Sequence, residues 1–246
     1  MAIGADTLHE LQAGDVHVWY VDLAVAAGTV ARLAADLSPD ERERADRFKL
    51  ERDRRRFVLA RRALRALLGG YLGVPPRELT LVYGAHGKPA LGGQHAALAF
   101  NVSHSGDVAV VAAGWSRALG VDVEAWRALP DLAALAARAF APAERAVLDA
   151  LAAIDQPAAF FRCWTRKEAF IKATGLGLAQ PLGDFVVSLG PGEPARFLDI
   201  GGDAAALARW TLHDLTPGEG YAGALVVERA PRAVQARTWS TAEADA

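Results

Sequence analysis

Twice along this chain a helical stretch gives way to a run of short strands, and that order is the strongest constraint on its fold. In the first pass, residues 17–23 read as a strand, being short, aromatic and β-branched. Ser38-Pro39-Asp40-Glu41 carries the marks of a helix start: a serine cap, proline at the first helical position, then acids in the first turn. A longer helix is expected over 53–72, with Phe57, Ala60, Leu64, Leu67 and Leu68 at helical spacing. It should stop near Gly69–Gly73, ahead of Pro75-Pro76. Strands are then expected at 79–83, 98–102, 108–113 and 119–124. The second pass predicts helices over 132–140, 143–151 and 157–174, and strands at 185–189, 195–198, 210–215 and 221–228. Helices followed by strands, twice, describe an α+β fold and not the strict alternation of a parallel α/β sheet. The halves share no repeat at the level of sequence. Residues 229–246 lack hydrophobic periodicity and read as a flexible tail.

A chain of 246 residues, 52% hydrophobic and 23% charged, can bury a full core as one large domain or two ordinary ones. The formal net charge of −2 argues against a nucleic-acid partner, although arginines crowd the segment 42–65. Cys163 is the only cysteine, which rules out an intrachain disulfide and a cysteine-based zinc site. The chain has no secretory leader pattern, and no run reaches the roughly 18 apolar residues of a membrane span. A cytoplasmic protein with no membrane partner is expected.

Chemistry concentrates in three carboxylates. Asp122 and Glu124 lie two apart on an expected strand, so both side chains share one face while Val121 and Val123 take the other. Their α-carbons would stand about 6–7 Å apart, near enough for both carboxylates to meet one cation; an acidic solvent face is the plainer alternative. Glu168 lies on the expected helix 157–174, where Phe160, Cys163, Trp164, Phe170 and Ile171 form an apolar arc. Glu168 and Lys172 sit one turn apart at the border of that arc, as at the edge of a cleft. As a surface pair they would contribute only about 0.3–0.5 kcal/mol. Lys167 falls within the arc itself, where an ammonium must either snorkel out or find a buried anion.

Two turns add candidates. Phe100-Asn-Val-Ser-His-Ser-Gly-Asp107 leaves a strand for a turn able to show hydroxyls, N–H groups and an imidazole to a phosphate. Its short polar side chains could equally satisfy their own backbone. Tyr83-Gly-Ala-His-Gly-Lys-Pro-Ala-Leu91 is a second Gly-rich turn, with Lys88 as its cation. Of the arginines at 54, 55, 56, 61, 62 and 65, some must be a solvated helix face, while Arg56 and its neighbours could fork onto a phosphate monoester.

Taken in order, these segments resemble the 4′-phosphopantetheinyl transferases of the larger, surfactin-synthetase-activating (Sfp-like) class. The resemblance runs from Ser38-Pro39 to Phe48, and through Arg54-Arg55-Arg56-Phe57, Gly87-Lys88-Pro89 and Phe100-Asn-Val-Ser-His-Ser105. It continues through Gly120-Val-Asp-Val-Glu124, Phe161 to Lys172 and Gly175-Leu-Gly-Leu178, covering about residues 38–190. Gly-Val-Asp-Val-Glu followed some forty positions later by Trp-Thr-Arg-Lys-Glu-Ala-Phe-Ile-Lys is its demanding core. One departure is Glu41, where a basic residue is sometimes found.

The resemblance implies a pseudo-dimer of two similar α+β halves, residues 1–117 and 118–228, with the active site between them. It implies transfer of the 4′-phosphopantetheine arm of coenzyme A to a serine of an apo acyl or peptidyl carrier protein, with release of 3′,5′-ADP. Carried over position by position, Asp122, Glu124 and Glu168 would hold Mg²⁺, with Mn²⁺ as a possible substitute. Glu168 would be a ligand only, or also the base, directly or through a metal-bound water, and Lys172 would neutralise the pyrophosphate and protonate the leaving group. Arg56, Ser103 and His104 would grip the 3′-phosphate, with Arg44 as a further contact. Gly87, Lys88 and Pro89 would line the adenine pocket, and Lys167 would find its anion in the same cluster. A monomer is expected. Two rival readings use the same residues: a metal-dependent phosphohydrolase of coenzyme A or a related nucleotide, and a non-catalytic carrier-protein-binding module.

Overall fold

The protein was analysed as a computed structural model that describes residues 10–24, 30 and 33–240. Its first half runs through β1 (Val16–Asp22), α1 (Pro39–Asp46), α2 (Glu51–Leu72), β2 (Leu81–Tyr83), β3 (Pro89–Leu91), β4 (Leu98–Ser105) and β5 (Val108–Trp115). The second runs through β6 (Leu119–Ala125), α3 (Leu132–Ala139), α4 (Pro142–Ala150), α5 (Gln156–Thr174), β7 (Phe185–Val187) and β8 (Phe197–Ile200). It ends with α6 (Ala204–Arg209), β9 (Trp210–Leu215) and β10 (Tyr221–Glu228).

One topology is used twice. In each half the first strand pairs antiparallel with the last, and the last with the one before it, giving β1-β5-β4 and β6-β10-β9. Each half also carries a long helix and a two-stranded hairpin, β2–β3 or β7–β8. The α+β pseudo-dimer implied by the family resemblance is the observed architecture.

Period-2 alternation explains how the layers stack. In β5, Ala109, Val111 and Ala113 face α2, while Val110 and Ala112 face the other sheet. In β10, Ala224 and Val226 face α5, while Leu225 and Val227 meet the first half. Strands buried on both faces thus form the two inner layers, and α2 and α5 the outer ones. Leu119, Val121 and Val123 of β6 join the central layer, which turns Gly120, Asp122 and Glu124 toward α5. α5 lies so close that a Cβ on Gly120 would collide with the Ala169 carbonyl oxygen and the Ala173 nitrogen. Only glycine lets the helix backbone settle onto the strand there.

The expectation of a flexible tail over 229–246 fails at 234–239, and residues 241–246 lie outside the described residues. Residues Val234–Trp239 form β11, which pairs parallel with β1 from Val16↔Val234 to Val21↔Trp239. Trp239 is buried in the first core, and Arg232 forks onto buried Asp15 through two contacts of 2.9 Å. That fork holds the Asp15 carboxyl below the usual carboxylate range. Local periodicity hides β11 because only one of its side chains is fully buried, and its partner strand lies at the far end of the chain.

Two smaller differences matter to the site. β4 continues through Ser105 instead of turning after Val102, and Pro89–Leu91 pairs with β2 where only a loop was expected. Trp239→Ala should lower the unfolding free energy by about 3–5 kcal/mol in a denaturant titration. A frayed tail would give no change.

Candidate active site

The seam between the halves is closed by side chains. β4 and β6 share no backbone ladder. Instead, Asn101 Oδ1 accepts the Val121 N–H at 2.8 Å, Ser103 Oγ the Val123 N–H at 3.4 Å and Ser105 Oγ the Ala125 N–H at 3.1 Å. Alternate residues of one strand thereby act as the carbonyls the other strand needs. The same hydroxyls donate onward: Ser103 to Asp122 Oδ1 at 2.8 Å, and Ser105 to Glu124 Oε2 at 2.9 Å.

Cations complete both contacts. From α5, Lys172 Nζ meets Asp122 Oδ1 at 2.6 Å and Ser103 Oγ at 2.9 Å. Arg127 reaches Glu124 Oε2 at 2.9 Å, with its guanidinium 5.3 Å from the Phe161 ring centre. Burial pushes the Asp122 carboxyl up against the opposing pull of Lys172 and Ser103. Glu168, on the same face of α5 as Lys172, has no hydrogen-bond partner among the described residues. Its pKa is raised first by burial and then by the negative charges of Asp122 and Glu124. The three carboxylates therefore share one locality and repel one another there.

These groups suit a hard divalent cation in kind. All are oxygen donors, and Asp122 Oδ2 is buried without a hydrogen-bond partner. They are not drawn into a finished cage: among the described residues no group of three or more His, Cys, Asp or Glu is placed to hold a metal ion. Lys172 and Arg127 instead balance the two β6 carboxylates.

Around His104 the first half contributes positive charge. The ring reaches the surface, yet the protein packed about it, and then Lys172, Arg56, Arg61 and Arg44, lower its pKa. Arg56 places Nε and Nη2 on Asp107 Oδ1 at 3.0 and 2.9 Å. Arg44 and Arg61 lie 5.2 and 5.6 Å from the Phe57 ring centre. Nearby, Asp40, Glu43, Arg44, Arg47, Phe48 and Tyr83 line a cleft of about 580 Å³.

Three expected contacts differ in place. Lys167 lies away from the carboxylates, because its buried ammonium pairs with buried Glu144 at 2.8 Å and donates to the Leu182 and Phe185 carbonyls. The apolar arc holding it is the second-half core, so its anion had to come from inside that core. Lys88 Nζ is likewise engaged by carbonyls: Lys172 at 2.6 Å, Leu119 at 3.0 Å and Ala173 at 3.5 Å. It caps the C-terminal end of α5 across the seam, where a cation meets the negative end of the helix dipole. Ser103 projects toward β6, whereas adjacent His104 projects to the opposite side of the strand. Its hydroxyl anchors Asp122. Gly87 closes the β2–β3 turn at φ 77°, and Pro89 begins β3.

Sequence reasoning assigns no role to Asn101, at the end of the expected strand 98–102, or to Ser105, in the expected turn. The signal was present in the matching spacing of 101, 103 and 105 against 121, 123 and 125. It also took Arg61, Arg62 and Arg65 as candidates for a solvated face, yet all three are buried. Arg65 meets Glu41 at 2.6 Å and Arg62 meets Asp36 at 2.6 Å. The odd Glu41 is thus the buried partner of Arg65, and it also accepts the Ser38 N–H at the start of α1.

Fold and site together define a pseudo-dimeric α+β enzyme with paired acids and a lysine on its seam. Residues 118–226 match the model of the 4′-phosphopantetheinyl transferase superfamily, and residues 27–116 that of the 4′-phosphopantetheinyl transferase N-terminal region. The 4′-phosphopantetheinyl transferase HetI of Nostoc sp. is 40% identical over 219 residues, 88% of this chain and 89% of that protein. The 4′-phosphopantetheinyl transferase Sfp of Bacillus subtilis is 31% identical over 170 residues, 69% of this chain and 74% of its own. The human L-aminoadipate-semialdehyde dehydrogenase-phosphopantetheinyl transferase is 32% identical over 178 residues, 67% of this chain and 55% of that protein. The chain belongs to the 4′-phosphopantetheinyl transferase superfamily, and its activity is that of a transferase.

Lys167→Ala leaves Glu144 without its buried cation and should cost about 3–5 kcal/mol of stability in denaturant unfolding, as breaking a buried pair does. Unchanged stability with weakened ligand binding would return Lys167 to the site. Lys88 gives a pH signature. Burial lowers its pKa to about 8, whereas an unfolded lysine titrates near 10.4, so the unfolded chain holds more protons between those values. Its contribution to stability should therefore rise with pH through that window. The stability difference between wild type and Lys88→Met, followed from pH 7.5 to 10, should move in favour of wild type.

Proposed function

We propose that this transferase moves the 4′-phosphopantetheine arm of coenzyme A onto a serine hydroxyl of an apo acyl or peptidyl carrier protein, in a reaction dependent on Mg²⁺ or Mn²⁺. The observation that carries this reading is the meeting of Asp122, Glu124, Glu168 and Lys172 on the seam, within a superfamily named for that transfer. Asp122, Glu124 and Glu168 would hold the cation, for which the unpartnered Asp122 Oδ2 is the clearest fit. When bound, it would polarise the coenzyme A pyrophosphate.

The chain's own residues supply the rest. Glu168 has a raised pKa and no hydrogen-bond donor on either oxygen among the described residues, which suits it to take the proton of the incoming serine while contributing to the cation site. The serine oxygen bonds to the β-phosphorus as the bond to the α-phosphate oxygen breaks, and 3′,5′-ADP leaves with the electron pair. Lys172, already a donor within the site, neutralises that departing charge and supplies it a proton. Arg56, His104 and Arg44 receive the 3′-phosphate, helped by Arg61. Phe48 and Tyr83 in the neighbouring cleft, together with the Gly87–Pro89 backbone, receive the adenine. Exposed Trp126 and Arg127 flank Glu124 and offer an apolar and basic landing for an acidic carrier protein. The reading includes a monomer in the cytoplasm. No helix among the described residues is long and apolar enough to cross a membrane.

Incubation with coenzyme A, Mg²⁺ and a panel of apo carrier proteins should add roughly 340 Da, the mass of the arm, to at least one carrier in intact-mass spectra. Glu168→Gln and Asp122→Ala should each lower the rate by about 100-fold or more without unfolding the chain, and chelation should abolish transfer. Release of 3′,5′-ADP without a carrier would favour the phosphohydrolase. Wild-type rates in either variant would remove the site assignment.

A further inference from the structure

We propose that Ser105 determines which divalent cation the site accepts, by tying one oxygen of Glu124 and leaving only the other free. The inference rests on reading the three carboxylates as a cation site.

The two acids of β6 are held in the same manner. Ser103 donates to Asp122 Oδ1, and Ser105, two residues on, donates to Glu124 Oε2. Asp122 Oδ2 then has no hydrogen-bond partner, and Glu124 Oε1 has none among the described residues. Each carboxylate thus offers a single oxygen. Ser105 cannot turn aside cheaply, because its oxygen also accepts the Ala125 N–H at 3.1 Å. Arg127 falls on the oxygen that Ser105 already holds, which reinforces the choice.

One oxygen per carboxylate discriminates between cations. Ca²⁺ gathers about 6–8 oxygens at 2.3–2.6 Å and readily takes both oxygens of an acid. Mg²⁺ needs about six at 2.0–2.1 Å in near-octahedral array and keeps water or phosphate oxygens in most positions. A Glu124 with a tied oxygen suits the second cation and penalises the first. Ser103 performs the corresponding task at Asp122, but its hydroxyl also meets Lys172, so Ser105 isolates the effect.

The test uses the whole protein with coenzyme A present, following free Mn²⁺ by electron paramagnetic resonance while Mg²⁺ or Ca²⁺ is added. In the wild type Mg²⁺ should displace Mn²⁺ at lower concentration than Ca²⁺. Ser105→Ala should shift the Mg²⁺-to-Ca²⁺ preference toward Ca²⁺ by about tenfold, within the range by which groups behind a metal ligand alter affinity. Ser105→Thr, which keeps the hydroxyl, should retain the wild-type ratio. An unchanged ratio in folded Ser105→Ala, or an equal shift in Ser105→Thr, overturns the proposal. Should Ser105→Ala fail to fold, wild-type displacement decides, and Ca²⁺ competing as well as Mg²⁺ overturns it. A wild type that binds no Mn²⁺ would instead overturn the cation site itself.

Discussion

The structure depends on three side chains that stand in for backbone. Where β4 meets β6, two sheet edges approach without a ladder, and the amides of Val121, Val123 and Ala125 would be left without acceptors. Each buried amide left unmet would cost about 1–3 kcal/mol. Asn101, Ser103 and Ser105 supply the oxygens, and because strands alternate, all three point the same way. The hydroxyls that join the halves also orient Asp122 and Glu124. Cohesion and chemistry are thus carried by the same atoms, so a change at this seam alters both.

Charge is arranged in two distinct patterns. Lys167 with Glu144 and Arg65 with Glu41 are buried cations with close internal anions, each also satisfying backbone groups. They define where segments sit. At the seam the balance is incomplete: Lys172 and Arg127 meet one oxygen each of two acids, while Glu168 stands with raised pKa beside both. Two closed pairs of opposite charge make a scaffold, whereas three acids with two cations leave room for another positive group. Lys88 belongs with the first kind despite its place in a loop, since carbonyls surround its ammonium.

Much of this was legible in the sequence. The alternation of Val121 and Val123 with Asp122 and Glu124 gave the correct inward and outward faces, and helical spacing put Glu168 beside Lys172. Residues 210–215 and 221–228 were read with their observed limits. What escaped shares one cause, which is long-range pairing. Ser105 looks like a turn residue until β6 is beside it, Lys167 looks available until Glu144 arrives from α4, and the arginines of α2 look solvated until Glu41 and Asp36 fold over them. β11 is the extreme case, with one buried anchor and a partner near the other end of the chain.

That pairing has a consequence for how the chain is made. β1 is made before its parallel neighbour, which follows roughly 220 positions later, about 10–40 s at ordinary rates of translation. Through that interval one side of β1 lacks the neighbour it has in the finished sheet, and Trp239 is absent from the first core. Until β11 is made, the sheet of the first half therefore carries an extra open strand edge, of the kind that invites pairing with other chains.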